Sequence, residues 1–425
     1  MSALLIHNAR LATPISNDAG APAWEFRELY PAALYCEDDC IVRVGEQDRV
    51  LEELPACDEI DAGGRVLTPG LVDCHTHPVF FNHRAHEFVQ RTQGTTYQEI
   101  AAGGGGIRYS VRDLRAAAED DLRQRVLQRL DVFLKYGTTT IEAKSGYGLS
   151  LEHELLSLRV LQEAAREHPV EIVPTFLGAH EVPDEYRSQR EQYLNLILHE
   201  MIPAVAAQNL ARFADVFCEE HVFGKTEALQ VLQTAARFGL RAKIHADQLS
   251  ESGGAQVAIA AQAVSADHLE YMPPALYAPF REAGIVPVLL PGADFFIRAK
   301  KYADARAMIA AGLPVAISTD FNPGSCMTES LPMIMTLACL HLQMTPAQTL
   351  IAATLHAARA LALGNQIGSL EVGKQADAVL WDADSVNEIP YHFGINLVHA
   401  VIKKGRVVVE RHAPLREFDR KNFIF

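Results

Sequence analysis

Gly70-Leu71-Val72-Asp73-Cys74-His75-Thr76-His77-Pro78 is an apolar run closed by two histidines one residue apart, with a proline immediately after. In a strand, side chains at i and i+2 leave the same face. His75 and His77 then project side by side, and their imidazoles can share one metal ion at about 2.0–2.1 Å each. Alone, such a pair more often marks a chance H-x-H on a surface strand. The reading turns on whether the ends of other strands carry the missing ligands.

Working outward, short apolar runs recur at 70–74, 138–143, 171–177, 214–218, 241–244, 265–268, 285–290 and 314–318, with helical spacing between them at 112–135, 151–167 and 187–212. Near-continuous apolar strands alternating with helices imply parallel strands covered on their outer face. Eight such units predict a (β/α)8 TIM barrel in an α/β chain. A doubly wound sheet is the competitor, but no G-x-G-x-x-G follows the first strand. Two more helices are expected at 329–343 and 346–363, the second capped by Thr345-Pro346. Both chain ends read as short strands and turns. They predict a small β-sandwich domain from 1–66 together with 364–425, around a barrel at 67–363.

The 425 residues are 49% hydrophobic and carry 53 acidic against 38 basic side chains, a net charge of −15. No basic run appears, which argues against nucleic acid or an anionic membrane as partner. Seven scattered cysteines form no C-x-x-C pair, so neither a disulfide framework nor a thiolate metal site is expected. The first ten residues lack a basic n-region and read as a strand, not a signal peptide. No stretch approaches the roughly 20 apolar residues of a membrane span. A reducing cytoplasm is the expected location.

Active sites of such barrels gather at the C-terminal strand ends. There the sequence places His75 and His77 (first strand), His180 (third), His245 (fifth), His268 (sixth) and Asp320 (eighth). His245 could be a satisfied core histidine and Asp320 a turn cap, yet the barrel context favours both as ligands. Three histidines and a carboxylate suit zinc or iron with a position left for water. His268 reads as a fifth ligand or an acid–base group, and His180 as a carbonyl-polarising or packing group. His221 is the least certain of the remaining histidines, which are expected to be structural. Lys144 is expected to pack or pair with a carboxylate, leaving a single metal. The run Gly103-Gly104-Gly105-Gly106 lacks a P-loop ending and reads as part of a mobile loop; residues 78–110 form a candidate lid. A bound ion brings the pKa of water to about 7 and presents hydroxide to a carbonyl. Asp320 takes the proton, and His180 and His268 are the candidates for oxyanion stabiliser and proton donor to the leaving nitrogen. This is metal-assisted hydrolysis of a small polar substrate.

Thr68-Pro69-Gly70-Leu71-Val72-Asp73-Cys74-His75-Thr76-His77 resembles the first-strand signature of the amidohydrolase superfamily, and Gly373-Lys374-Gln375-Ala376-Asp377-Ala378 its C-terminal sheet motif. Phe80-Phe81-Asn82-His83-Arg84, Tyr97-Gln98-Glu99-Ile100, Lys144-Ser145-Gly146-Tyr147-Gly148, Phe176-Leu177-Gly178-Ala179-His180, His245-Ala246-Asp247-Gln248 and Asp320-Phe321-Asn322-Pro323-Gly324-Ser325 resemble the imidazolonepropionase family within it. The resemblance implies hydrolytic opening of 4-imidazolone-5-propanoate to N-formimidoyl-L-glutamate in histidine degradation. It implies His75, His77, His245 and Asp320 as ligands of zinc or iron, and a cytoplasmic homodimer. Arg84 would hold the propionate, since a guanidinium matches a carboxylate bidentately. Tyr147, His180, Gln248, Asn322, Gly324 and Ser325 would surround the ring and the product's carboxylates. Some family members carry a glutamate, with a proton-transfer role, where this chain has Gln248. An amide cannot transfer protons that way, which shifts the work to Asp320 and His268. The alternatives are a nucleobase deaminase of the same barrel type, which has little use for Arg84, and a non-catalytic scaffold, which has no need of the four ligands.

Overall fold

The computed structural model describes residues 3–16, 24–96, 99–100 and 103–410. Tyr97 and Gln98 of the quoted motifs, and His412, lie outside the described residues. Strands β1 (Ala3–Pro14), β2 (Phe26–Glu37), β3 (Cys40–Glu46), β4 (Asp58–Asp61) and β5 (Val66–Pro69) come first. The middle holds β6 (Leu71–Asp73), β7 (Thr138–Lys144), β8 (Glu171–Ala179), β9 (Phe213–Cys218), β10 (Arg241–Ala246), β11 (Ser265–His268), β12 (Val286–Leu289) and β13 (Ala316–Ile317). The chain then adds β14 (Ala378–Trp381), β15 (Val398–Lys403) and β16 (Arg406–Glu410).

Strands β6 to β13 pair in sequence order, each parallel to the next. Each matches one of the eight apolar runs. The barrel closes where a parallel bridge joins Thr76 to Phe321. There His77 N–H donates to the Phe321 carbonyl at 2.8 Å and Asp320 N–H to the His75 carbonyl at 3.1 Å. Asp73 pins the same seam, accepting from Thr319 N–H (3.1 Å), Thr319 Oγ1 (2.7 Å) and the Ser318 hydroxyl. β7 is buried at every position, as a strand covered by helices requires.

The helix 119–135 faces the barrel with Leu122, Val126, Leu130 and Phe133, the spacing of one helical face. Glu119, Asp120 and Asp121 in its first turn and Lys135 in its last complement the macrodipole. The expected helix 112–135 is two helices, 107–115 and 119–135, because Ala118 is extended at the second N-cap. The expected helix 187–212 is also interrupted. A π-helical segment, Ile197–Met201, precedes Pro203, whose missing N–H removes one helical bond. Likewise 346–363 carries a π segment at Ala352–His356, its start capped by Thr345 as the sequence suggests.

The other sheet runs β16-β15-β14-β5-β1-β2-β3, with β4 on β1. A bridge from Cys40 to Gln375 brings the β3 edge back toward β14. Ile6, Leu34, Leu67, Leu380 and Ile402 share one core inside the resulting curl. β5 belongs to this sheet although it directly precedes the first barrel strand. Gly70 makes that passage: a Cβ there would sit 2.3 Å from Thr139 Oγ1. Among the described residues no helix is long and apolar enough to cross a membrane.

Candidate metal centre and cavity

The seam between the first and eighth strands brings together residues distant in sequence. His75 and His77 face each other with their Nε2 atoms 3.3 Å apart. Asp320 Oδ1 is 3.5 Å from each of those nitrogens. His245, from the end of β10, joins them: donor atoms of His75, His77 and His245 all lie within 4.8 Å of one another. All four residues are buried. Two ligands about 2.0–2.1 Å from a tetrahedral zinc stand about 3.3–3.4 Å apart, so the donor set fits a metal ion. Burial, reinforced by Lys144 for His75 and by His180 for His77, pushes both rings well below the usual histidine range. They are neutral, with lone pairs free to ligate.

Behind the ligands stands a set of carboxylates. Asp267 Oδ2 is 2.6 Å from His75 Nδ1, and Asp215 Oδ2 is 3.0 Å from His245 Nδ1. Such partners fix the tautomer that turns Nε2 to a metal. Lys144 Nζ reaches Asp215 (2.7 Å) and Glu142 (2.9 Å), while Lys243 Nζ reaches Glu142 (3.0 Å) and the Cys74 carbonyl (3.0 Å). Lys144 is therefore in an ion pair, as expected. Burial alone would raise Asp215, but His245 and Lys144 outweigh it and hold its carboxyl well below the ordinary range. The carboxylates Glu142, Asp215 and Asp267 against the ammoniums Lys144 and Lys243 leave one net negative charge. Asp320 adds a fourth carboxylate beside the histidines, a setting that favours a cation.

A cavity of about 320 Å³ opens above the ligands, walled by Arg84, Tyr147, His180, Gln248, Asn322 and Ser325 among others. Arg84 is only 3% exposed, yet its Nε and Nη1 have no hydrogen-bond partner among the described residues. Its carboxylate neighbour, Glu87, stays at 3.5 Å and accepts Gly106 N–H at 2.8 Å, which draws the glycine run against the cavity. A guanidinium buried with bare donors is costly unless an anion meets it. Gly324 does not line the cavity as a contact. A Cβ there would fall 1.2 Å from Arg84 Nη2, so the glycine makes room for the guanidinium. Asn322 Oδ1 accepts from Gly324 N–H and Ser325 N–H at 2.8 Å each, and the Ser325 hydroxyl lies 3.3 Å from Asp320 Oδ2.

His180 departs from expectation. Its Nδ1 lies 2.9 Å from the Gly146 carbonyl, which only accepts, so Nδ1 carries the proton. Burial, then His245, push the ring down to about 3. The neutral ring presents a bare Nε2, an acceptor rather than the donor an oxyanion needs. His268 is also buried and neutral, pushed down to about 4 by burial. His268 and the following Leu269 both take positive φ, 80° and 70°. Asp320 does too, at 52°. Non-glycine residues held there store about 1–3 kcal/mol each and cluster at functional sites.

Reading the sequence by strand ends missed Asp215, Asp267 and Glu142, which sit within strands, and Glu270, which follows one. A carboxylate inside an otherwise apolar barrel strand was the available signal. None of the described histidines expected to be structural lines the cavity.

The family model for the amidohydrolase family matches residues 66–408. Imidazolonepropionase of Symbiobacterium thermophilum is 50% identical over 89% of this chain and 90% of its own. Imidazolonepropionase of Geobacillus kaustophilus is 43% identical over 96% and 98% respectively. Among solved structures, 5-methylcytosine deaminase from Klebsiella pneumoniae superposes with a TM-score of 0.74 at 18% identity, covering 97% of this chain and 100% of its own. Escherichia coli guanine deaminase gives 0.74 at 15% identity with the same coverage. At that identity the deaminases speak for the fold alone.

Proposed function

The chain belongs to the amidohydrolase family and, within it, to the imidazolonepropionases, and from that premise we propose that it opens the ring of 4-imidazolone-5-propanoate to give N-formimidoyl-L-glutamate. Water adds across the cyclic amide: its oxygen joins the carbonyl carbon, the carbon–nitrogen bond breaks, and the ring nitrogen takes a proton. The observation that carries the substrate assignment is Arg84, a buried guanidinium with unpartnered donors on the cavity wall. A propionate gives it the bidentate partner it lacks. A nucleobase offers no such group, and the deaminase alternative leaves Arg84 without one.

His75, His77, His245 and Asp320 are the residues we assign to the metal, zinc or iron. The ion supplies Lewis acidity that brings water deprotonation to about neutral pH. Asp320 has one oxygen toward the histidines and the other near Ser325, which suits it to take the proton from water. His180 Nε2 accepts from a ring N–H and so orients the substrate. His268 gives its proton to the leaving nitrogen. Tyr147, Gln248, Asn322 and Ser325 hold the ring and the new carboxylate, and Gln248 hydrogen-bonds without transferring a proton.

We read the enzyme as a cytoplasmic homodimer. All seven cysteines are free, which supports a reducing compartment. Exposed Leu340, Tyr391, Phe393 and Ile395 supply an apolar face for self-association. A monomer in light scattering would remove that assignment. The function itself is tested by following loss of imidazolone absorbance with metal-loaded protein. Ammonia release from a nucleobase with no turnover of imidazolone-propanoate would overturn it. Asp320→Asn with metal retained is expected to abolish turnover, and near-normal rates would remove its assigned role.

A further inference from the structure

Glu154, on the helix Leu151–Glu167, is fully buried and does not line the cavity. Its Oε1 gathers three backbone donors from the turn after β7: Gly146 N–H at 3.1 Å, Gly148 N–H at 3.0 Å and Leu149 N–H at 2.9 Å. Arg115, which ends the helix Ile107–Arg115, holds the same turn by its carbonyls. Its Nε donates to the Gly148 carbonyl at 2.7 Å and its Nη2 to the Leu149 carbonyl at 2.8 Å, while Nη1 pairs with Glu185 at 2.7 Å. This turn carries Tyr147 onto the cavity wall. It also carries the Gly146 carbonyl, which accepts the Nδ1 proton of His180 at 2.9 Å. The turn has little slack: Gly146 has a φ of 103° and Leu149, a non-glycine residue, 47°. A Cβ on Gly148 would fall 2.5 Å from the His153 carbonyl carbon. Backbone strain such as that at Leu149 persists only where its surroundings enforce it.

We propose that Glu154 is a positioning residue for substrate binding: through the turn after β7 it places Tyr147 and fixes the tautomer of His180, with Arg115 as the opposing grip. The proposal rests on the reaction assigned above, in which His180 Nε2 accepts from a ring N–H. Which nitrogen of an imidazole carries the proton is set by the hydrogen bond that the ring makes on its other side. With the Gly146 carbonyl in place, Nδ1 keeps the proton and Nε2 stays bare. Without Glu154, three buried N–H groups lose their acceptor, a penalty that drives the turn to find others. The Gly146 carbonyl then leaves Nδ1, and the proton is free to pass to Nε2, where it would oppose the substrate's own N–H. Neither Tyr147 nor His180 is assigned to the metal, so the metal stays bound.

The test uses zinc-loaded, full-length protein and imidazolone-propanoate. Glu154→Leu is expected to lower kcat/KM about 100-fold, the cost of misplacing binding groups by about 1 Å, with zinc content unchanged. Glu154→Gln keeps a carbonyl oxygen for the three N–H groups and is expected to recover most of that loss. Nitrogen NMR of histidine-labelled protein is expected to show His180 protonated on Nδ1 in the wild type and shifted toward Nε2 in Glu154→Leu, the signal being assigned by its loss in His180→Gln. In a Tyr147→Phe, His180→Gln background Glu154→Leu is expected to cost nothing further, since residues acting as one unit are non-additive. Arg115→Met is expected to lower kcat/KM and move the tautomer in the same direction, and serves if Glu154→Leu does not fold. Wild-type kcat/KM in Glu154→Leu, an unmoved His180 tautomer, or an undiminished cost in the double background would overturn the proposal. Absence of turnover by the wild type overturns the assigned reaction instead, and the tautomer signal, which needs no substrate, separates the two failures.

Discussion

Replacing Gly324 by alanine tests the carboxylate site without changing any charge. The φ of Gly324 lies outside the left-handed region, so the backbone tolerates a side chain. The obstacle is Arg84: the new Cβ would sit 1.2 Å from Nη2, 2.5 Å from Cζ and 3.2 Å from Nε. Ordinary contact needs about 3.5–4.0 Å, so the guanidinium must retreat by more than 2 Å and its fork no longer meets the propionate. Losing one partner of a buried charge pair costs about 2–5 kcal/mol. At about 1.4 kcal/mol per decade, kcat/KM is expected to fall roughly 30- to several thousand-fold. Metal content and unfolding midpoint should stay at wild-type values, and an imidazolone lacking the propionate should turn over equally in both proteins. In an Arg84→Met background the same alanine should cost nothing. Wild-type kcat/KM in Gly324→Ala would refute the reasoning.

Asp267→Asn is expected to weaken metal binding about 10- to 100-fold, because His75 loses the carboxylate that fixes its tautomer; competition with a chelator measures this directly. Lys144→Met leaves Glu142, Asp215 and Asp267 facing Lys243 alone and should cost about 3–5 kcal/mol in denaturant unfolding. Adding Glu142→Gln restores the charge balance and should recover part of that loss; a double variant no better than the single would contradict the balance. Asp294→Asn should raise stability at pH 8 and hardly change it at pH 4. An unfolded aspartate titrates near about 3.9, whereas the folded group titrates at about 9. Between those values the folded state holds a proton that the unfolded state has released. Stability therefore falls as pH rises through that window, and the amide removes the fall. Equal unfolding midpoints for the two proteins at pH 8 would reject this.

The strands and the facing histidine pair were legible because their signals are local. Side chains in a strand repeat every two residues, so His75-Thr76-His77 declares two imidazoles on one face with no knowledge of the rest of the chain. Alternating apolar runs and helical segments likewise declare parallel strands under a helical cover. The helix boundaries were less legible. Nothing in the apolar spacing between Arg112 and Lys135 reveals that Ala118 is extended, and the π segments depend on how each helix packs.

What the sequence by itself determined is the chemistry on offer: three histidines and an aspartate able to ligate a metal, the strand ends that carry them, and an arginine on the loop after the first pair. What only the tertiary structure decided is how these groups are paired. Asp320 meets His75 and His77 because Asp73 clamps Ser318 and Thr319 across 245 and 246 residues of chain. His180 became an acceptor because the Gly146 carbonyl claims its Nδ1 proton. Gly324, expected around the substrate, also leaves the space that the Arg84 guanidinium occupies. Each of these depends on the register between distant segments. Periodicity along one strand carries no record of that register, and closure of the barrel supplies it.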